Sequence, residues 1–240
     1  MKAITTIICY LLAISGFSFI SNPPQKKLTL IFHHQLGNEE LVLGNTFKNI
    51  LGENITIQRL KYYVSNFSVT DEKGKKIILP VQYFLVDESD SLSKKITFNI
   101  PDISINTIHF LLGVDSIRNV SGVQTGALDP LKGMFWTWNT GYIMAKLEGE
   151  SESSASAGHR FTYHIGGFRN GMNTVKKIEL AVQNQGKQIR EIHISADINH
   201  WFKNKSEIRI AEIPVCHSPG TLAMKIADNY SNMFSINSIR

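Results

Sequence analysis

Apolar and polar residues alternate in short runs along most of this chain, and clusters of turn-forming residues separate the runs. A period of two puts successive side chains on opposite faces of an extended strand, so each run specifies a strand with one face to bury. The candidates are Leu28 to His34, Ile55 to Val69, Ile77 to Leu85, Lys95 to Ile100, Thr107 to Val114, Met134 to Glu148, His159 to Ile165, Lys177 to Val182 and Glu191 to Ile198. Turns are marked by Asp71-Glu72-Lys73-Gly74, by Asp129-Pro130-Leu131-Lys132-Gly133 and by Asn170-Gly171, whose residue types favour tight reversals. Strands in this number with no long helix between them predict an all-β protein, an antiparallel β-sandwich. Glu150 to Gly158, small and polar, reads as a flexible connection between strands. One short C-terminal helix is expected. Ser218 is placed to cap it, Pro219 suits its first position, and Leu222, Ile226, Tyr230 and Met233 fall on one face.

Of 240 residues, 42% are hydrophobic and 19% charged, with 7 prolines, a composition that excludes disordered and collagen-like chains. Residues 27–240 read as one domain, with no repeat and no shift in composition to divide them. Before them, Lys2 precedes an interrupted apolar run from Ile4 to Ile20, with small residues at Ser15, Gly16 and Ser21. That order predicts a signal peptide over residues 1–21 and a mature protein in the periplasm or at the cell surface. Cys9 would leave with it, so Cys216 is the one cysteine expected in the mature chain. No later run is long enough to span a bilayer. Removal of residues 1–21 takes away only Lys2, so the formal charge falls from +5 to +4. Scattered lysine pairs with no accompanying recognition motif predict no nucleic-acid partner.

The chain carries no nucleophile elbow, phosphate loop, zinc CxxC pair or HExxH helix, and it is expected to catalyse nothing. Its 8 histidines are the residues open to metal chemistry, because neutral imidazole binds copper, zinc and nickel. His34 is in phase with Leu28, Leu30 and Phe32 and stands where an apolar face ends, as a core-edge group or a ligand. His33 points the other way. Strand parity separates His159 from His164, and His193 shares the polar face of its strand with Glu191, Ser195 and Asp197, as a surface residue. His109 reads as structural. Cys216-His217 near Met224 offers soft donors, although adjacent residues seldom reach one ion. In Met134 to Glu148, parity assigns Trp136, Trp138 and Tyr142 to one face, a core strand or an aromatic wall beside a ligand.

Several segments, taken in order, resemble the MbnP-like family of exported copper-binding β-sandwich proteins. They are Phe32-His33-His34-Gln35-Leu36-Gly37, Leu60-Lys61-Tyr62-Tyr63-Val64-Ser65-Asn66, Gly113-Val114-Asp115-Ser116, Gly133-Met134-Phe135-Trp136-Thr137-Trp138 and Phe161-Thr162-Tyr163-His164-Ile165-Gly166-Gly167. The resemblance implies a Cu(I) site built from two histidines, and in relatives a tryptophan oxidised to kynurenine by a partner dihaem enzyme. It points first to His164, with His34 as the second ligand and His33 as a weaker candidate. Trp136 and Trp138 are the candidates for a wall of the metal site or for the modified residue. Some relatives place that tryptophan two residues before a ligand histidine, whereas here the residue two after Trp136 is Trp138. The function expected is copper acquisition, storage or delivery. The alternative is a secreted carbohydrate- or partner-binding module that stacks its ligand on Trp136, Trp138 and Tyr142. Exposure of the tryptophans separates the two, since a stacking platform must be wet.

Overall fold

The computed structural model describes residues 24–138, 141–183 and 188–240; the signal-peptide segment, 1–21, lies outside them. In chain order the first strands are β1 (Gln25–Leu36), β2 (Glu39–Glu40), β3 (Thr46–Lys48), β4 (Asn54–Asp71), β5 (Lys76–Ile78), β6 (Tyr83–Asp87), β7 (Lys95–Pro101) and β8 (Ile105–Leu112). They are followed by β9 (Phe135–Trp136), β10 (Gly141–Glu150), β11 (Arg160–Gly166), β12 (Lys176–Ala181), β13 (Glu191–Asp197), β14 (Val215–Cys216) and β15 (Phe234–Ile239). The helices are α1 (Ser116–Val120), α2 (Asn199–Phe202) and α3 (Thr221–Tyr230).

Two sheets form the sandwich. One runs β15-β13-β1-β2, with β7 also paired to β1, and the other runs β12-β8-β4-β10-β11-β14. β4 organises the second sheet, because β10 pairs along Thr56–Tyr62 and β8 along Val64–Asp71. Most pairs are antiparallel as expected, but β1 with β13 and β11 with β14 are parallel. Both parallel partners are distant in sequence, a relationship that alternation within a strand does not encode.

The inner face of β1 carries Leu28, Leu30, Phe32, His34 and Leu36, all buried. Phe32 meets Tyr62 of the opposite sheet edge-on with centroids 6.2 Å apart, and Phe234 of β15 at 6.1 Å. Each such side chain, fully buried, contributes on the order of 1.5–3 kcal/mol. A smaller second core lies elsewhere, where Tyr63, Met134, Trp136, Tyr142 and Met144 pack with Val114 and Leu128.

Four expectations change. Met134 to Glu148 is two strands, β9 folding back on β10 with Trp136 opposite Gly141, so one parity does not run through it. Ile77 to Leu85 divides into β5 and β6 around Pro80, whose missing N–H breaks a ladder. The terminal helix begins at Thr221, after Gly220 at φ 150°, and not at Pro219. In the connection after β10, Ser151 and Ser154 are buried and their hydroxyls donate to Asn54 O and Arg160 O, each at 2.6 Å, so it is a tied loop rather than a loose one.

Candidate metal centre

His34 sits in the apolar row of β1 and is 3% exposed. Both ring nitrogens are engaged: Nδ1 is hydrogen-bonded to the Glu88 carboxylate and Nε2 lies 2.9 Å from Tyr62 Oη. Burial first, and Glu88 second, hold the Tyr62 phenol far above its ordinary range, so the hydroxyl stays protonated and donates to Nε2. Glu88 also accepts from Lys94 Nζ at 3.0 Å. This is a closed interior network, and the imidazole at its centre has no lone pair free for a metal.

His164 lies on the outer face of the second sheet. In the register of β10 with β11, Lys146 and His164 are opposite each other, as are Ala145 and Ile165, and the buried row Ala145, Leu147, Tyr163 and Ile165 faces the core. His34 projects into the space between the sheets and His164 away from it. The two ligands expected from the sequence are therefore on opposite sides of a β-sheet, and the fold does not bring them together.

It brings His164 to His217 instead. β14 runs parallel to β11 with Thr162 opposite Val215 and Tyr163 opposite Cys216, which sets His217 beside His164. Their rings stack with centroids 4.4 Å apart at 25°. Alternation sends Cys216 inward, where it is 5% exposed and its thiol is pushed up to about 11 by burial, so the sulfur and the imidazole of that dipeptide face opposite ways.

The hydrogen bonds decide which nitrogens are available. His164 Nε2 donates to Glu148 Oε1 at 2.6 Å and His217 Nε2 pairs with Thr162 Oγ1 at 2.6 Å. Neither Nδ1 has a partner among the described residues. Burial alone would raise the Glu148 carboxyl, but the His164 bond with the charges of Lys146 and Arg59 outweighs it and holds the group at about 2. An ionised Glu148 fixes the Nε2–H tautomer of His164 and leaves Nδ1 as a lone pair. Partial desolvation, then proximity to His164, holds His217 below the ordinary imidazole range, which keeps it neutral near pH 7.

The setting of the pair itself is polar. His217 is exposed and Lys146 donates to Gly133 O at 2.6 Å beside the pair. The apolar part begins just beyond the two histidines along the chain. A cleft of about 340 Å3 is lined by Trp136, Trp138, Tyr142, Gly167, Phe168 and Met172, among others, with Ser218 and Pro219 following His217 into it. A Cβ at Gly166 would lie 2.6 Å from the Trp136 ring, so the glycine is what lets that indole cover β11. Trp136 is 6% exposed and Trp138 64%, with centroids 5.5 Å apart. The three aromatics do not form one wet platform: Trp136 and Tyr142 are dry and Trp138 is wet.

The other histidines separate by partner. His109 Nε2 bonds Thr70 Oγ1 at 2.8 Å. His159 lies just before β11, with φ 52°. His193 is not a bare surface residue: its Nδ1 is 2.9 Å from His33 Nε2. Among the described residues no three His, Cys, Asp or Glu side chains converge as a metal cluster, and no helix is long and apolar enough to cross a membrane.

The sequence profile of the MbnP family matches residues 25–218. The solved structure of MbnP from Methylosinus trichosporium is similar with a TM-score of 0.57 at 15% identity, over 83% of this chain and 83% of that one. No curated protein sequence matches the chain.

Proposed function

The chain belongs to the MbnP family, and on that premise we propose that it is an exported protein that binds Cu(I) through histidines for acquisition, storage or delivery, without catalysis of its own. The observation that carries this reading is the stacked pair His164 and His217, each with Nε2 tied and Nδ1 without a partner among the described residues. The donor chemistry fits. A soft d10 ion accepts few ligands and prefers imidazole to oxygen, and two imidazoles on adjacent strands supply a pair. His164 is the ligand the family resemblance points to; His217 takes the place given to His34, whose nitrogens are both occupied. Bound copper would supply a redox-active centre, while the protein orients the rings through Glu148 and Thr162.

The dihaem partner implied by the resemblance belongs to the same reading, with a tryptophan beside the site as its target. Trp136 covers Gly166 on the ligand strand, and Trp138 is the accessible neighbour. A stacking role for Trp138 in the adjoining cleft is the second reading, favoured by its 64% exposure.

Metal analysis and intact-mass measurement of protein recovered from copper-replete native cells test the proposal. One or more copper per chain, with a mass gain if a tryptophan is oxidised, is expected. Metal-free protein, or protein holding another metal in its place, would overturn it.

A further inference from the structure

On the outer face of the other sheet, away from the site above, His33 of β1 and His193 of β13 face each other. His33 Nε2 and His193 Nδ1 are 2.9 Å apart. The rings are inclined by 13° with centroids 5.1 Å apart. That separation is close to the N···N distance plus the two ring radii, so the imidazoles are coplanar and end to end, with their nitrogens pointing at each other. One proton occupies the line between them. The register places it there: in the parallel pair Ile31 is opposite His193 and His33 opposite Ser195, so the two rings meet diagonally across neighbouring strands.

The Glu191 carboxylate stands on the far side of the His193 ring. Its Oε2 is 3.9 Å from His193 Nε2, a buried atom with no hydrogen-bond partner among the described residues. A carboxylate on that side favours the Nε2–H tautomer and leaves Nδ1 as the lone pair directed at His33. His33 is exposed and its Nδ1 has no partner among the described residues, so its proton can move between its two nitrogens through water. Burial first, then His193 and Lys94, hold His33 below the ordinary imidazole range, with Glu40 acting in the opposite sense.

Two imidazoles held in line, nitrogen to nitrogen, have the donor arrangement of a linear, two-coordinate site once the proton between them has left the line, the geometry of a soft monovalent d10 cation. We propose that His33 and His193 form a second site for such a cation, Cu(I) in particular, with the metal taking the position of the shared proton. The His33 proton passes from Nε2 to Nδ1, so the metal displaces it along the ring and releases none. With metal–nitrogen bonds of about 2.0 Å each the nitrogens must open from 2.9 Å to roughly 4 Å, a change that rotation of the exposed His33 side chain supplies without moving the strands. A divalent ion demanding four or more ligands finds no third His, Cys, Asp or Glu converging here among the described residues.

The test is a Cu(I) titration of the full chain under reducing conditions against a competing chelator, followed by 15N NMR of the imidazoles. Wild type should bind two equivalents. His33→Ala and His193→Ala should each lose one, and the double variant His164→Ala/His217→Ala should lose the other. Addition of Cu(I) should shift His33 Nε2 and His193 Nδ1 in the double variant. Circular dichroism checks that each variant is folded, which is expected of a change at the exposed His33. Unchanged stoichiometry and affinity in both His33→Ala and His193→Ala, or unshifted His33 and His193 resonances, overturns the second site. Loss of copper confined to these two variants would overturn the His164–His217 reading and leave this one standing.

Discussion

Glu148 Oε1 accepts the Nε2–H of His164 at 2.6 Å, while Arg59 and Lys146 hold the same carboxylate in place. A ligand imidazole is useful to a metal only if the correct nitrogen is bare, and this bond selects it. Outer partners of this kind typically contribute 10- to 100-fold to affinity. Glu148→Gln is therefore expected to weaken Cu(I) binding by about that factor with the fold retained, as a chelator competition would show. Unchanged affinity would remove Glu148 from the site.

The acid limb of stability follows from the same carboxylate. Its folded value of about 2 lies below the ordinary carboxylate value of 4.5, so the stabilisation is complete above the unfolded value and is lost as pH falls through the folded one. Glu88 is shifted in the same direction: burial opposes, but His34 and Lys94 prevail. Denaturant titrations between pH 6 and 2 should show stability falling across that window, and Glu148→Gln should flatten the fall. A variant with the wild-type slope contradicts the assignment.

His34 is an interior residue, so its replacement should cost stability and not copper. His34→Ala leaves Glu88 and Tyr62 without their shared partner in a buried setting, which costs about 2–4 kcal/mol. Urea unfolding measures it. A loss below about 0.5 kcal/mol, the level of an ordinary surface change, would show that the network carries no stability.

Three tryptophans give a simple accessibility check. Trp136 and Trp201 are buried and Trp138 is exposed, so a neutral collisional quencher should reach one emitting population. Trp138→Phe should abolish most of the quenching. If it persists, Trp136 is wet and the β9–β10 hairpin stands away from Gly166.

Much of the fold is legible in alternation alone. β1, β4, β7, β8 and β11 to β13 follow runs whose apolar residues form the buried rows, and the aromatics of β4 fill the centre. β15 was missed because Phe234, Ile236 and Ile239 are only three apolar residues with a shifted phase, and its pairing with β13 carries a register shift. The site was less legible. Parity correctly turns His33 and His34 to opposite faces, yet it cannot say that His34 meets Glu88 from the other sheet, or that the two-residue β14 runs beside β11. His217 was visible only as a neighbour of Cys216. The signal that would have found it is the same alternation, which faces Cys216 inward and frees the histidine for the outer face. Likewise His193 reads as solvated on its own strand, and only the parallel pairing with β1 reveals His33 against it.

In the proposed Cu(I) site His164 is partnered by His217 and not by His34. That pairing is tested most directly by the Cu(I) affinity of His217→Ala and His34→Ala, each made in the His33→Ala chain so that a single pair titrates. His217→Ala is expected to lose at least about 100-fold, since water replaces imidazole poorly at a soft ion, while His34→Ala keeps its affinity and is merely less stable. Full affinity in His217→Ala with loss in His34→Ala would contradict it.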